Sequence, residues 1–423
     1  MNVFKKIILP NGLRVILVPQ PQSLAASVLI LVRAGSEYET KRRNGLSHFL
    51  EHMMFKGTAK RPRVGQTAEE LDALGAHYNA FTGQEYTGYY AKAEAKKLSE
   101  IIDIVSDLYL NPLFNADEIE KERGVIVEEI NMDVDRLPRK AAQIFNELLY
   151  GDQPAGWDIA GTKEILKKLG KRDLEAYRAE RYVMSGTVVV VAGKFHEREV
   201  AGQIRRAFAR LPKGRAPAKS QTVERQARPR ARVFFKESGQ SHLVLGFRSF
   251  NLFDKRRYAV QALADILGGS MSSRLFRKIR EELGAAYYIS ADAALMLDHG
   301  TFEIAAGVEH GKLEAAVMAI LAECRRVAEN GIPEAELQRS KDHMVGNLII
   351  GLETSDDLAS FYGGQEILTG KPLIPEWVIG KIRDVKARDV QNVARDIFKN
   401  QGLNLAVVGP RRDTAGLQKL LKI

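Results

Sequence analysis

The sequence predicts an α+β protein of two homologous domains, each a mostly antiparallel sheet with helices packed on one face. Three observations predict it. Short apolar runs bounded by turn residues are mixed with helical runs, without regular strand–helix alternation. The chain repeats itself once along its length. A stretch rich in Pro, Gly and charge, LPKGRAPAKSQTVERQARPRAR, separates the copies.

The elements follow in order. Apolar runs 7–9 and 13–18 flank Pro10-Asn11-Gly12, and Asn-Gly between such runs is a hairpin signal. Residues 25–32 are almost wholly apolar and predict a buried strand. Residues 45–55 predict a helix, as do 68–74, 95–110 and 116–134, from apolar residues at three- and four-residue spacing. Strands are predicted at 188–192, closed by Gly193, and at 404–408, closed by Gly409.

The repeat is read from ordered matches. LILVRAGS precedes KRRNGLSHFLEHMM, and LVLGFRSF precedes KRRYAVQALADILG, so Lys41-Arg42-Arg43 lies 214 positions before Lys255-Arg256-Arg257. The same offset of 214 relates Thr87 to Thr301 and Ala91 to Ala305. Around Glu120 and Gln338 the offset is 218, and between Arg172-Asp173-Leu174 and Arg388-Asp389-Val390 it is 216. The predicted division is a first domain at 1–215, a linker at 216–229 and a second domain at 230–423.

Composition bounds the function. The chain has 423 residues, 45% hydrophobic and 27% charged, which is ordinary for globular proteins. Its one cysteine, Cys324, makes no internal disulfide and excludes a thiolate cage for a metal. No apolar run is long enough to span a bilayer, and the opening segment lacks a signal-peptide core, so a cytoplasmic protein with no membrane partner is expected. The net charge of +10 is dispersed. Its densest cluster, Arg225, Arg228, Arg230 and Arg232, lacks interleaved aromatic residues, and no nucleic-acid partner is expected.

The chemistry concentrates in His48-Phe49-Leu50-Glu51-His52. Positions i, i+3 and i+4 share one face of a helix, so His48, Glu51 and His52 point together. Two imidazoles one turn apart can chelate Zn²⁺, and an adjacent carboxylate can act on a water in the open coordination position. Glu51 is then a proton carrier rather than a ligand. The repeat is an internal control: His48 falls on Ala262, Glu51 on Asp265 and His52 on Ile266. The second domain keeps the apolar pattern of this helix without the histidines, so the fold does not need them. A third ligand is sought among the acidic residues of EIEKERGVIVEEINMD.

GLSHFLEHMMFKGT followed by that acidic helix resembles the inverted-motif zinc peptidases, the pitrilysin and mitochondrial-processing-peptidase family. The resemblance implies Glu129, 77 residues after His52, as third ligand, with Glu128 solvated. It implies that Glu122, beside Arg123, supports a ligand from behind; Glu122 and Glu129 are two helical turns apart and share a face. In LGGSMSSRLFRKIREELGAAYYIS, Arg280 and Tyr287 match the family pair that approaches the substrate and stabilises the tetrahedral intermediate. HYNAFTGQEYTGYYAK matches the stretch presenting a sheet edge to an extended peptide, with Asn79 and Ala80 nearest it and His77 without a catalytic role. One departure is QPAGWDIAGT, where relatives often carry a Pro-Leu-Gly-type segment.

The implied activity is a zinc-dependent metalloendopeptidase that hydrolyses peptides or unfolded segments inside a closed dimer chamber. Its two-domain chain would form a homodimer, or a heterodimer with a related subunit, Arg280 and Tyr287 serving the partner's zinc. The alternative is a non-catalytic peptide-binding or assembly subunit of the same fold.

Overall fold

The computed structural model describes residues 4–423. In the first half, β1 (Lys5–Ile8), β2 (Arg14–Pro19), β3 (Ala25–Val32), β4 (His77–Thr82), β5 (Thr87–Glu94) and β6 (Thr187–Gly193) form one sheet. Its order is β1-β2-β6-β3-β5-β4, antiparallel throughout except for the parallel β2–β6 pair. The helices are α1 (Leu46–Met54), α2 (Gln66–Ala73), α3 (Leu98–Leu110), α4 (Ala116–Asp135), α5 (Leu137–Tyr150), α6 (Lys163–Leu166), α7 (Lys171–Arg181) and α8 (Glu197–Ala207).

The second half repeats the strand order β2-β6-β3-β5-β4, without a counterpart of β1 among the described residues. Strands β7 (Arg230–Phe235), β8 (Ser241–Ser249), β9 (Ala286–Leu295), β10 (Gly300–Val308) and β11 (Asn404–Gly409) form a sheet in the order β7-β11-β8-β10-β9. Only β7–β11 is parallel. Helices α9 (Arg257–Gly268), α10 (Leu313–Asn330), α11 (Glu334–Ile350), α12 (Ser355–Thr369), α13 (Pro375–Asp384), α14 (Ala387–Ile397) and α15 (Thr414–Leu420) follow, with a π-helical turn at Phe276–Glu282. The metal-motif helix α1 thus has its counterpart in α9, and α4 in α11. The α+β class holds for both halves.

Local sequence explains the edges of these elements. The first hairpin turns where Gly12 adopts φ +91°, with the Leu13 N–H donating to Asn11 Oδ1 at 3.1 Å. The segment 95–110 opens as a 3₁₀ turn over Ala95–Lys97 before α3 begins, the tighter winding common at helix ends.

The chain packs as two compact units that are not contiguous in sequence. The first comprises the described residues to Ile130, Asp158–Ser220 and Ile349–Ile374; the second comprises Asn131–Trp157, Gln221–Leu348 and Pro375–Ile423. Each unit therefore includes one helix from the other half of the chain, α12 in the first and α5 in the second. The run Val188–Val191 shows why. Val189 and Val191 join the core with α1 and α3, while Val188 and Val190 face Leu358, Ala359 and Tyr362 of α12. A strand apolar on both faces needs both faces covered. The helical layer expected on one face is present, and one exchanged helix covers the other. In the second unit, Val244, Ala406 and Val408 meet Ile144, Phe145 and Leu148 of α5 in the same way.

The basic cluster is partly absorbed by this packing. Arg232 pairs with Glu147 of α5 at 2.7 Å, and Arg230 donates to the Leu148 carbonyl at 3.3 Å.

Candidate metal centre

Helix α1 starts without a cap of its own: Gly45 precedes it at φ +93° and has no side chain. A remote carboxylate replaces the cap. Glu39 Oε2 accepts from the Gly45 N–H at 2.7 Å and from Asn44 Nδ2 at 3.1 Å, and Oε1 accepts from the Ser47 N–H at 2.6 Å. A carboxylate satisfies unpaired N–H groups and complements the positive end of the helix. Glu39 is buried, and that burial pushes its carboxyl up to about 7 against the pull of these hydrogen bonds. Ser47 Oγ lies 2.7 Å from Tyr177 Oη of α7, a second tether one residue before His48.

The segment QPAGWDIAGT closes on the same point. Asn44 Nδ2 donates to the Asp158 carbonyl at 2.9 Å, and a Cβ on Gly45 would come within 2.6 Å of the Ala160 carbonyl oxygen. Below the first turn, Leu46, Phe49, Leu50, Met53 and Met54 are fully buried, so the opposite face of α1 is fixed in the core.

The remaining face carries the donors. His48 Nε2 and His52 Nε2 lie 3.5 and 3.6 Å from Glu129 Oε2 of α4. One ligand atom from each of the three lies within 4.8 Å of the others. A tetrahedral zinc with bonds of about 2.1 Å separates its donors by about 3.4 Å, so this nitrogen and oxygen set fits the ion. Three protein donors leave one coordination position for water or substrate. His52 turns Nδ1 toward Glu122 Oε2 at 3.0 Å, which leaves Nε2 to face Glu129. Glu128 is exposed and Glu129 half-buried, as adjacent positions on a helix require.

Glu51 lies on the same helix, and its Oε2 accepts a hydrogen bond from the Thr82 hydroxyl at the end of β4. Burial, the first cause, raises its carboxyl above the ordinary range; the Thr82 hydrogen bond and His52 oppose this, and Glu129 adds to it. Strand β4 pairs only with β5 and ends the sheet. Along it Asn79 is exposed and folds Oδ1 onto the Ala80 N–H at 2.9 Å, while Ala80 is buried and His77 is exposed.

In the second unit, Arg280 of the π-helical turn lies with its guanidinium carbon 5.6 Å from the ring centre of Tyr287 on β9. Tyr287 is 71% exposed, so a buried core role is excluded. The counterpart of the metal site holds other contacts. Asp265 of α9 accepts from Ser340 Oγ at 2.6 Å, and its other oxygen lies 2.6 Å from His343 Nδ1, both on α11. Ile266, at the position of His52, is buried among apolar residues.

Glu39 and Thr82 escaped sequence reasoning. An acidic residue six positions before Gly45 is a faint capping signal. Thr82 stands 31 positions from Glu51 and carries no local signal.

Comparison with known proteins assigns the family. Residues 14–163 match the family described as Insulinase (Peptidase family M16), and residues 168–344 match the Peptidase M16 inactive domain. An uncharacterized zinc protease of Mycobacterium leprae is 34% identical over 419 residues, covering 98% of this chain and 94% of the relative. An uncharacterized zinc protease of Bacillus subtilis is 31% identical over 411 residues, covering 96% of this chain and 98% of the relative. The crystal structure of a protease from Helicobacter pylori shares the fold, with TM-score 0.90 at 23% identity over 96% of this chain and 99% of that one. The chain belongs to peptidase family M16.

Proposed function

We propose that this chain is a zinc-dependent metalloendopeptidase acting on peptides or unfolded segments. The observation that carries the reading is the convergence of His48, His52 and Glu129 beside Glu51, a carboxylate outside the donor set. His48 Nε2, His52 Nε2 and Glu129 Oε2 would hold the ion. Bound zinc supplies Lewis-acid polarisation of water and of the scissile carbonyl at neutral pH.

The chain's own residues do the rest. Glu51, with its raised carboxyl, accepts a proton from the attacking water and returns it to the leaving amine nitrogen. Thr82 holds one Glu51 oxygen and leaves the other for the proton. The open edge of β4 offers its backbone to an extended peptide, with Asn79 and Ala80 alongside. Arg280 and Tyr287 donate to the developing oxyanion, in the partner subunit of a homodimer whose chamber encloses the substrate; a related subunit forming a heterodimer would serve equally. An assembly subunit has no need of the donor set, which favours the catalytic reading.

The test is hydrolysis of a quenched fluorescent peptide mixture by the purified chain. Cleavage that a chelator abolishes and one equivalent of zinc restores supports the reading. Zinc-loaded protein that cleaves nothing, alone or with its cellular partners, overturns it.

A further inference from the structure

The acidic group behind His52 has a second partner. Glu122 is buried, and its carboxylate is held at both oxygens by side chains of one short segment. Oε2 meets His52 Nδ1 at 3.0 Å, and Oε1 meets Lys56 Nζ at 2.6 Å. Lys56 stands four positions after His52, just past the end of α1, where its N–H donates to the Met53 carbonyl at 3.2 Å.

The backbone that carries Lys56 is pinned on its far side. The Gly57 carbonyl accepts from the Leu113 N–H at 2.9 Å, and the Ala59 N–H donates to the Asn111 carbonyl at 3.0 Å. Gly57 adopts φ +102°, which turns the chain sharply after Lys56. Two residues further, Thr58 Oγ1 donates to Asp107, which also pairs with the buried Arg61 at 2.8 Å. Lys56 therefore springs from a rigid corner, and its side chain is three-quarters buried.

The repeat adds an independent observation. At the offset of 214, Lys56 falls on Ser270 and His52 on Ile266; at the offset of 218, Glu122 falls on Ser340. The half without metal donors lacks all three members of this chain of contacts, while it keeps both helices.

We propose that Lys56 is a positioning residue for the metal centre: by holding Glu122 Oε1 it fixes Oε2 against His52 Nδ1, and so aims His52 Nε2 at the ion. A carboxylate gripped at one oxygen can rotate about its terminal torsion; one gripped at both cannot. Partners that orient a ligand histidine from behind affect metal affinity directly. The proposal rests on the zinc reading of the site and not on peptide hydrolysis.

The test is the zinc dissociation constant of the metal-free full chain, read by competition with a chromophoric chelator at one pH. Lys56→Met is expected to weaken binding about tenfold. Lys56→Arg, which keeps a charged donor, is expected to recover most of that loss. In a Glu122→Ala background, Lys56→Met is expected to add no further loss, because Lys56 acts through Glu122. Circular dichroism and Tm establish that each variant is folded; Lys56→Gln and Glu122→Gln replace any that is not. Wild-type affinity in Lys56→Met, or an equal loss in the Glu122→Ala background, overturns the proposal. So does a wild-type chain that binds no zinc. Tight zinc binding with the expected cycle but no peptide cleavage would leave Lys56 in its role and remove only the peptidase reading.

Discussion

The Thr82 hydroxyl donates to Glu51 Oε2, tying the carboxylate beside the candidate metal donors to the last residue of the edge strand β4. Under the proposed mechanism, the edge strand that would offer its backbone to a peptide would thereby also set the orientation of the group that would move the proton. A hydrogen bond to a charged group contributes about 1.5–3 kcal/mol. Thr82→Val, which keeps the shape and removes the donor, is expected to lower kcat about tenfold, at the lower end of that range, with KM little changed. Thr82→Ser should restore kcat. Steady-state kinetics on one fluorogenic peptide check this, and a rise in KM alone would refute it.

Glu51→Gln keeps the volume and removes the proton acceptor. General acid–base catalysis contributes about 10²–10⁴-fold, and cleavage is expected to fall by that order. Zinc content should stay near one per chain, since Glu51 lies outside the donor set. Metal analysis beside the kinetics separates this outcome from loss of the ion.

Glu39 predicts a pH dependence with a definite sign. Its folded carboxyl sits at about 7 against an ordinary value of 4.5, because burial disfavours the charged form. A carboxyl raised on folding stabilises below its unfolded pKa, and that contribution is lost as pH rises through the folded one. The difference corresponds to about 3 kcal/mol across pH 4.5–7. Glu39→Gln abolishes this titration, so Tm of the metal-free variant relative to wild type should rise steadily across that window. Parallel Tm profiles would show that Glu39 does not titrate there.

Phe145 tests the exchanged helix. It is fully buried on α5 among Val244, Ala406 and Val408. Phe→Ala in such a site costs about 3–5 kcal/mol. Thermal unfolding of Phe145→Ala should show a transition lowered by several degrees, and an unchanged transition would mean that α5 does not seal this face.

Gly45 is the backbone counterpart. Its φ is +93°, and the Ala160 carbonyl oxygen lies 2.6 Å from where a Cβ would stand, so a side chain has no room. Gly45→Ala is expected to lower Tm and zinc affinity together, measured by calorimetry and chelator competition; a loss confined to Tm would separate the loop from the metal site.

Much of the site was legible in the linear order of residues. His48, Glu51 and His52 occupy one short helix, and helical spacing alone puts them on one face. The repeat then marked them as additions to a fold that stands without them in the second half. Both sheets were foreshadowed by local patterns: the Asn11-Gly12 turn and the apolar runs of β3, β6 and β11 are written within a few residues each. The long-range pairing of Glu129 with the histidines needed a family spacing, because periodicity on α4 distinguishes a face and not a destination.

By itself the sequence determined many of the elements and the helix that bears the histidines, which follow from patterns a few helical turns long, and the twofold recurrence, which follows from ordered matches 214–218 residues apart. Only the tertiary structure decided which distant groups meet. Thr82 reaches Glu51, Glu39 caps α1, Lys56 and His52 share Glu122, and α5 and α12 cross to cover the second face of a sheet. The physical reason is common to all four. Burial leaves polar groups and apolar faces that must be satisfied, and the partner is chosen by proximity in space, which local spacing does not encode.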